Sequence, residues 1–429
     1  MISDSSKKLI ANCFFIFIPA IFILGNLFLN IFFFIFFLLL FLFNKDVLNF
    51  YKQYKNKIFI FLAFIVFYYL FLFLFVGINN YKVFSIFKFI ILFLSISIYS
   101  GYIKLDLIAL CWLIFLIFIL IDTFIQFYTG TDIFGYHSQL LNSTFCSAKL
   151  IDHNSIFTLI EETTSNLKDC PPYKRTLRLS GPFKDEFVVG GFLLNFSIVT
   201  IFICNFLSKN IKLFFVFITS VLILLSGERM AFLLSIFSIF LIVILLFKKN
   251  IFKIFLIIMA VLVITIPIIV KDKRLTARYD EIKIISIDYN NPNNPYFSLF
   301  FKSIDIFKKN LFFGSGPRSF RDECKKTSEN FNIICKNHPH NIYFEILAET
   351  GIYGFLFFIW IIFNFFKKTL FFFRKEIDLK HLEIGCFVSL LILFFPFKTS
   401  GSIFATFYGF YFWFFSIFSY ICLTKKKLK

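Results

Sequence analysis

Arginine is scarce in this sequence. Lysine outnumbers it 36 to eight, so a place that uses arginine repeatedly is selecting a planar guanidinium over a point charge. Polar surface is short as well: hydrophobic residues make up 59% of the chain and phenylalanine alone counts 75, which excludes a water-facing globule. No short apolar segment ending in a small-residue cleavage site opens the chain, so the first apolar stretch is expected to be a retained anchor. No basic stripe interleaved with aromatics lies outside the apolar runs, and the net charge of +19 therefore points to cytoplasmic loops and not to nucleic acid. Around His338 and His340 the carboxylates and thiolates of a metal site are missing at the required spacing. Charges deep in most apolar runs and inverted repeats are also lacking, which weighs against a transporter or flippase.

What is present is a series of apolar runs long enough to cross a bilayer. They fall near 10 to 26, 28 to 43, 57 to 76, 84 to 103, 107 to 128, 188 to 207, 211 to 226, 230 to 247, 251 to 270, 341 to 366, 382 to 397 and 403 to 423. The expected fold class is all-α: a polytopic transmembrane helix bundle of about twelve spans, with the first pair divided at Gly25-Asn26 or joined as one long helix. Short loops rich in lysine, such as those holding Lys52, Lys104, Lys209, Lys248, Lys367 and Lys380, then share one side with both termini, which the positive-inside rule makes cytoplasmic. The layout is N-terminal spans over 1–128, an outer loop over 129–187, spans over 188–270, a large and partly helical outer loop over 271–340, and C-terminal spans over 341–429. Four of the nine cysteines lie in the outer loops. An oxidising compartment and the two-per-loop placement suggest disulfides Cys146–Cys170 and Cys324–Cys335, one of three connectivities that four cysteines allow. Cys13, Cys111, Cys204, Cys386 and Cys422 read as packing residues within spans.

The arginines are not spread evenly. Arg175, Arg178, Arg229, Arg274, Arg278, Arg318 and Arg321 map to the outer side and only Arg374 to the inner. Bidentate recognition of phosphate oxygens is a reason for that choice; loop solubility and contact with anionic headgroups is the plainer one. Arg178 precedes a Ser-Gly-Pro turn, and Arg229 follows the short turn Ser226-Gly227-Glu228 at the head of a span. The second loop opens with a charged helical stretch carrying Arg274 and Arg278, breaks at Asn290 to Pro295, and continues from Tyr296 to Asn310 with apolar residues at helical spacing, an interfacial amphipathic helix. Gly314 and Gly316 then permit a tight turn, a candidate anion cradle.

Polar chemistry concentrates between Gly314 and Gly354. His340 stands at a loop-to-span junction beside Asn341, and a neutral imidazole there can take a proton from a hydroxyl nucleophile. His338, before a proline, is the weaker candidate for the same work. Glu345 and Glu349 lie four apart on one helical face, as partners of arginine, as orienters of His340, or as caps at the polar end of the helix. Gly351 and Gly354 follow.

These residues carry a resemblance. His340-Asn341, nine residues, then Gly351-Ile352-Tyr353-Gly354 is similar to the H-N-x9-G-x-x-G signature of the O-antigen ligase and O-antigen polymerase superfamily. SGERMAFL at 226 to 233, RLSGPF at 178 to 183 and GSGPRSF at 314 to 320 resemble its other recurrent stretches. The likeness is strongest from about 178 to 366, with 188–366 as the ligase-like core. It implies a bacterial inner-membrane enzyme of lipopolysaccharide biosynthesis that needs no cofactor and no metal. Such an enzyme moves a glycan, with inversion, from undecaprenyl pyrophosphate to an acceptor hydroxyl on the periplasmic face. It further implies His340 as the base and Arg229 as a pyrophosphate ligand. Many members carry an arginine where this chain has Pro295-Tyr296, and Arg274, Arg278, Arg318 or Arg321 is expected to fill that role, with Arg178 as a further expected pyrophosphate ligand. The leading expectation is a ligase whose acceptor is the lipid A core. A polymerase acting on a growing lipid-linked glycan is the alternative, and transfer to a protein hydroxyl a third.

Overall fold

A computed structural model describes residues 3–52, 87–138, 178–184, 186–247, 259, 263–287, 295–327, 335–374 and 381–424. Over these residues the protein is all-α; it has no sheet, only a single bridge between Thr131 and His137. Among the described residues six helices are long and apolar enough to cross a membrane: Asp4–Leu24, Asn26–Lys52, Leu105–Thr129, Arg229–Leu246, Ile342–Lys367 and Thr406–Leu423. Shorter apolar helices run over Lys88–Tyr99, Val189–Ile203 and His381–Leu393. The span expected near 57 to 76 and most of that near 251 to 270 lie outside the described residues, as do Cys146, Cys170 and Arg175. The chain forms two compact units, one of residues 1–108, 288–379 and 389–429, the other of 109–287 and 380–388.

In the first unit the N-terminal apolar stretch is two helices, not one. Ser3 caps the first, its hydroxyl accepting the Ser6 amide at 3.2 Å, and Gly25 ends it at φ +95°. A β-carbon at Gly25 would meet nothing within 4 Å, so glycine is used there for its backbone angle. Phenylalanine rings join this pair to the Phe87–Tyr99 and Thr406–Thr424 helices: Phe33 stacks on Phe410 at 4.0 Å, and Phe14 meets Phe36 and Tyr99 at 5.0 and 5.1 Å. Between helices surrounded by lipid, close packing supplies what water exclusion cannot, and aromatic pairs add a preferred geometry.

The same unit also holds the Pro295–Lys309, Phe320–Thr327 and Ile342–Arg374 helices. Proline at the first position of a helix gives up no hydrogen bond that the helix would have used. Leu299 and Ile306, seven apart on the inward face of the first of these helices, pack with Phe320, Cys324 and Ala348. Phe300 stacks on Phe344 at 4.7 Å, which ties the Pro295–Lys309 helix to the long one.

The second unit is built around the Val189–Ile203 helix, which is buried at every position but Gly191. A helix apolar all round belongs inside a bundle. Trp112 meets Phe196 at 5.7 Å, and a β-carbon on Gly385 would fall 2.3 Å from that of Phe202, so the His381–Leu393 helix approaches through its glycine. The charged stretch of the second loop is one helix, Lys273–Ile287.

Candidate functional site

Two of the sequence motifs are halves of one interlock. At Gly351 (φ 65°, ψ −166°) the long helix leaves helical geometry. The amides of Ile352 and Tyr353 would ordinarily bond the carbonyls of Ala348 and Glu349; instead they donate to Leu311 and Phe312, at 2.8 and 3.3 Å. The freed carbonyls of Ala348 and Glu349 accept the amides of Ser315 and Gly316, at 3.0 and 2.8 Å. These two amides and two carbonyls are taken up by the 311–316 segment, which meets the condition for irregular backbone near membrane depth. Gly314 and Gly351 make the approach possible.

Immediately before this helix stands the histidine pair. His340 has φ +60°, a left-handed backbone rare for a side chain of its size. Its carbonyl accepts the Ser400 amide at 2.9 Å. Asn341 caps the helix in the expected way: its side-chain oxygen accepts the amides of Tyr343 and Phe344, at 2.9 and 3.3 Å, while its amide nitrogen donates to the Pro396 carbonyl at 2.7 Å. His338 lies edge-on to His340, ring centres 4.3 Å apart. Burial pulls His338 down to about 4, against a hydrogen bond with the Ser400 backbone, and Lys336 reinforces the fall. His338 is therefore neutral at pH 7, and adds no positive charge beside His340. Among the described residues, no three His, Cys, Asp or Glu side chains gather as a metal-binding group.

The Gly-x-Gly turn is a cradle already filled. Glu349, fully buried, accepts the Arg318 amide on Oε2 at 2.6 Å and the Phe320 amide on Oε1 at 3.0 Å. The acceptor in the nest is the chain's own carboxyl group, not an outside phosphate. Arg318 adopts φ +61°, and its exposed side chain projects from the turn within electrostatic reach of Glu345 and Glu349. Glu345, equally buried, accepts the Ile403 amide on Oε2 at 3.1 Å. Both glutamates thus hold loops. Arg321 donates to the Asn337 side chain at 3.0 Å, and the Cys324–Cys335 disulfide, with Cα atoms 5.8 Å apart, joins the short Phe320–Thr327 helix to the strand of chain that leads into His338. Gly354, one turn beyond the break, faces Thr350, whose hydroxyl a β-carbon there would approach to 2.1 Å.

In the second unit three more of the expected arginines surround the Ser226–Arg229 turn. Gly227 makes the turn at φ +73°. Arg278 donates to its carbonyl at 3.1 Å, and Arg229 donates to the Arg278 carbonyl at 3.4 Å. The Leu179 amide bonds Ser226 at 3.0 Å, which brings Arg178 alongside; Arg178 donates to the Phe187 carbonyl at 2.8 Å. Arg274, by contrast, is occupied by Asp272 at 2.6 Å.

Sequence reasoning missed the supports of this turn. Glu228 spreads its carboxylate over two successive amides, Gly190 and Gly191, both at 3.0 Å. Burial pushes Glu228 up, opposed by the Arg178 guanidinium, the two amides and Arg278. Gln126, fully buried, accepts the amides of Ser180 and Gly181 at 3.0 and 2.8 Å and donates to the Ser180 hydroxyl and the Tyr136 carbonyl, each at 3.0 Å. The Gly-Gly pair and a glutamine inside an apolar run were the available signals.

No curated protein matches the chain. Residues 214–359, which include Arg229, Arg278, Arg318, His340 and the Gly351 break, match the family model Wzy_C, O-Antigen ligase. This integral membrane protein thus carries, over residues 214–359, a domain that matches the O-antigen ligase family.

Proposed function

We propose that the protein is an O-antigen ligase: an inverting, metal-independent glycosyltransferase of the bacterial inner membrane that moves a glycan from undecaprenyl pyrophosphate to a hydroxyl of the lipid A core. About twelve spans, cytoplasmic termini and a periplasmic site belong to this reading. The acceptor O–H gives its proton to the His340 imidazole as its oxygen forms a bond to the anomeric carbon. The bond from that carbon to phosphate breaks on the opposite face, and the lipid diphosphate departs with the electron pair. Negative charge grows on the leaving group, so guanidinium groups fixed beforehand stabilise the transition state more than the ground state. Arg229, Arg318 and Arg321, with Arg178 and Arg278, are the proposed diphosphate ligands, and Phe-rich grooves receive the polyprenyl tail.

The observation that carries the reading is the His340 junction. A histidine in a left-handed backbone, packed on a second, neutral histidine and followed by a helix-capping asparagine, stands inside the stretch that matches the family. Costly backbone of this kind collects at functional sites. The test is transfer by the purified protein from a lipid diphosphate-linked glycan: His340→Ala is expected to lose it while keeping the wild-type melting profile. Retained transfer would remove the base. In cells, unlinked long glycan chains after gene deletion support the ligase, and single repeat units would assign a polymerase instead.

A further inference from the structure

We infer that Glu349 is a positioning residue for donor binding, acting through the backbone of Arg318. The inference rests on the proposed role of Arg318 as a diphosphate ligand. Arg318 is neither glycine nor asparagine, yet it holds φ +61°, a region that costs an ordinary side chain about 1 kcal/mol or more. Something must hold it there. Its own side chain is exposed and makes no such anchor. The restraint comes from behind: Glu349 grips the Arg318 amide at 2.6 Å and the Phe320 amide at 3.0 Å, one on each carboxylate oxygen. Two residues on one helix, Ala348 and Glu349, therefore fix four positions of the turn, Ser315, Gly316, Arg318 and Phe320, through their carbonyls and the Glu349 carboxyl group.

A carboxylate is suited to this because it is acceptor-only and offers two oxygens to two converging N–H donors. Glutamine keeps the size but turns an NH2 group on one of the amides. Aspartate keeps the charge but is a methylene short. Either change frees the peptide of Arg318 to relax toward ordinary angles, and a rotation of that peptide swings the guanidinium by several ångströms. Glu349 itself is fully buried and touches no substrate. Its removal should thus weaken donor binding and leave acceptor binding alone.

The experiment is a double-mutant cycle on the full-length protein in lipid nanodiscs, with a lipid diphosphate-linked glycan and the acceptor each varied in turn. Glu349→Gln is expected to raise the donor KM about tenfold, roughly the value of one hydrogen bond to the turn, with the acceptor KM unchanged. In an Arg318→Ala background the same substitution should add less than twofold, because the group it positions is gone. An equal loss in both backgrounds, or a uniform loss across both substrates, would overturn the proposal. Should Glu349→Gln fail to fold, Glu349→Asp carries the same expectation. If Arg318→Ala raises the donor KM and both Glu349 variants leave it alone, only the positioning role falls. If Arg318→Ala itself leaves the donor KM unchanged, the diphosphate role of Arg318 falls and takes this inference with it.

Discussion

Gly314 and Gly351 lie backbone against backbone. A β-carbon on Gly351 would sit 2.6 Å from the Gly314 amide nitrogen and 2.4 Å from the Phe312 oxygen, and one on Gly314 would sit 2.3 Å from the Glu349 carbonyl carbon. Neither contact has a flexible side chain to yield, and both residues have positive φ, 71° and 65°. Gly314→Ala and Gly351→Ala are each expected to cost at least ~2 kcal/mol, strain and overlap together. Gly25→Ala, with positive φ but open space, should cost ~1 kcal/mol. Thermal unfolding in one detergent orders the three. A Gly351→Ala protein that melts with wild type would mean the interlock is dispensable.

The sequence made this region visible without explaining it. Gly314, Gly316, Gly351 and Gly354 were legible as motif positions, and Glu345 and Glu349 as neighbours on one face. The partners of those glutamates were not, because the Glu349–Arg318 contact bridges 31 residues and the Glu345–Ile403 contact 58. Local periodicity carries helix positions; it says nothing about which loop returns to which carbonyl. The helix expected from Tyr296 to Asn310 runs over Pro295–Lys309, within a residue at each end, since apolar spacing alone decides it. Glu228 was passed over because its value lies in two glycine amides almost forty positions upstream.

His338 should give the protein an acid-sensitive stability. Its folded-state value of about 4 lies below the ordinary 6.5, so between those limits the unfolded chain binds more protons than the folded one. Stability is then fully present above pH 6.5 and is lost as pH falls toward 4. A melting temperature followed from pH 7.5 to 4 should decline in that window, and His338→Gln should flatten the decline. An unchanged slope in the variant would assign the acid sensitivity to other groups.

Reduction of the Cys324–Cys335 bond should loosen the approach to His340. The bond closes a loop of eleven positions, worth up to about 3 kcal/mol by chain entropy alone. Cys324 is also buried among Leu299, Ile306, Phe320 and Ala348, so Cys324→Ser adds a polar atom to an apolar cluster and should cost more than Cys335→Ser. Melting with and without a thiol reductant reads the first effect; the two single variants, both measured under reduction, read the second. Equal melting of those variants would show that the cluster around Cys324 tolerates the change.

The clasp of Glu228 on Gly190 and Gly191 offers a prediction in which chemistry and shape separate. Glu228→Ala leaves two amides at a helix start without their acceptor, in a place where a β-carbon on Gly190 would already touch Ser226 Oγ at 2.6 Å, so no new side chain can replace it. The expected loss is about 2 to 4 kcal/mol, one to two for each amide. Glu228→Gln keeps one acceptor and should lose about half as much near pH 5. Burial raises the carboxyl of Glu228 above its usual range. The folded state therefore holds that proton longer than the unfolded chain, and the stability it contributes falls as pH rises from about 4.5 through the folded value. Glutamine does not titrate, so the gap between Glu228→Gln and wild type should narrow toward alkaline pH. Denaturation midpoints of the three proteins at pH 5 and pH 8 test this directly, and a gap that widens with pH would show that the arginines and amides, not burial, dominate the carboxylate.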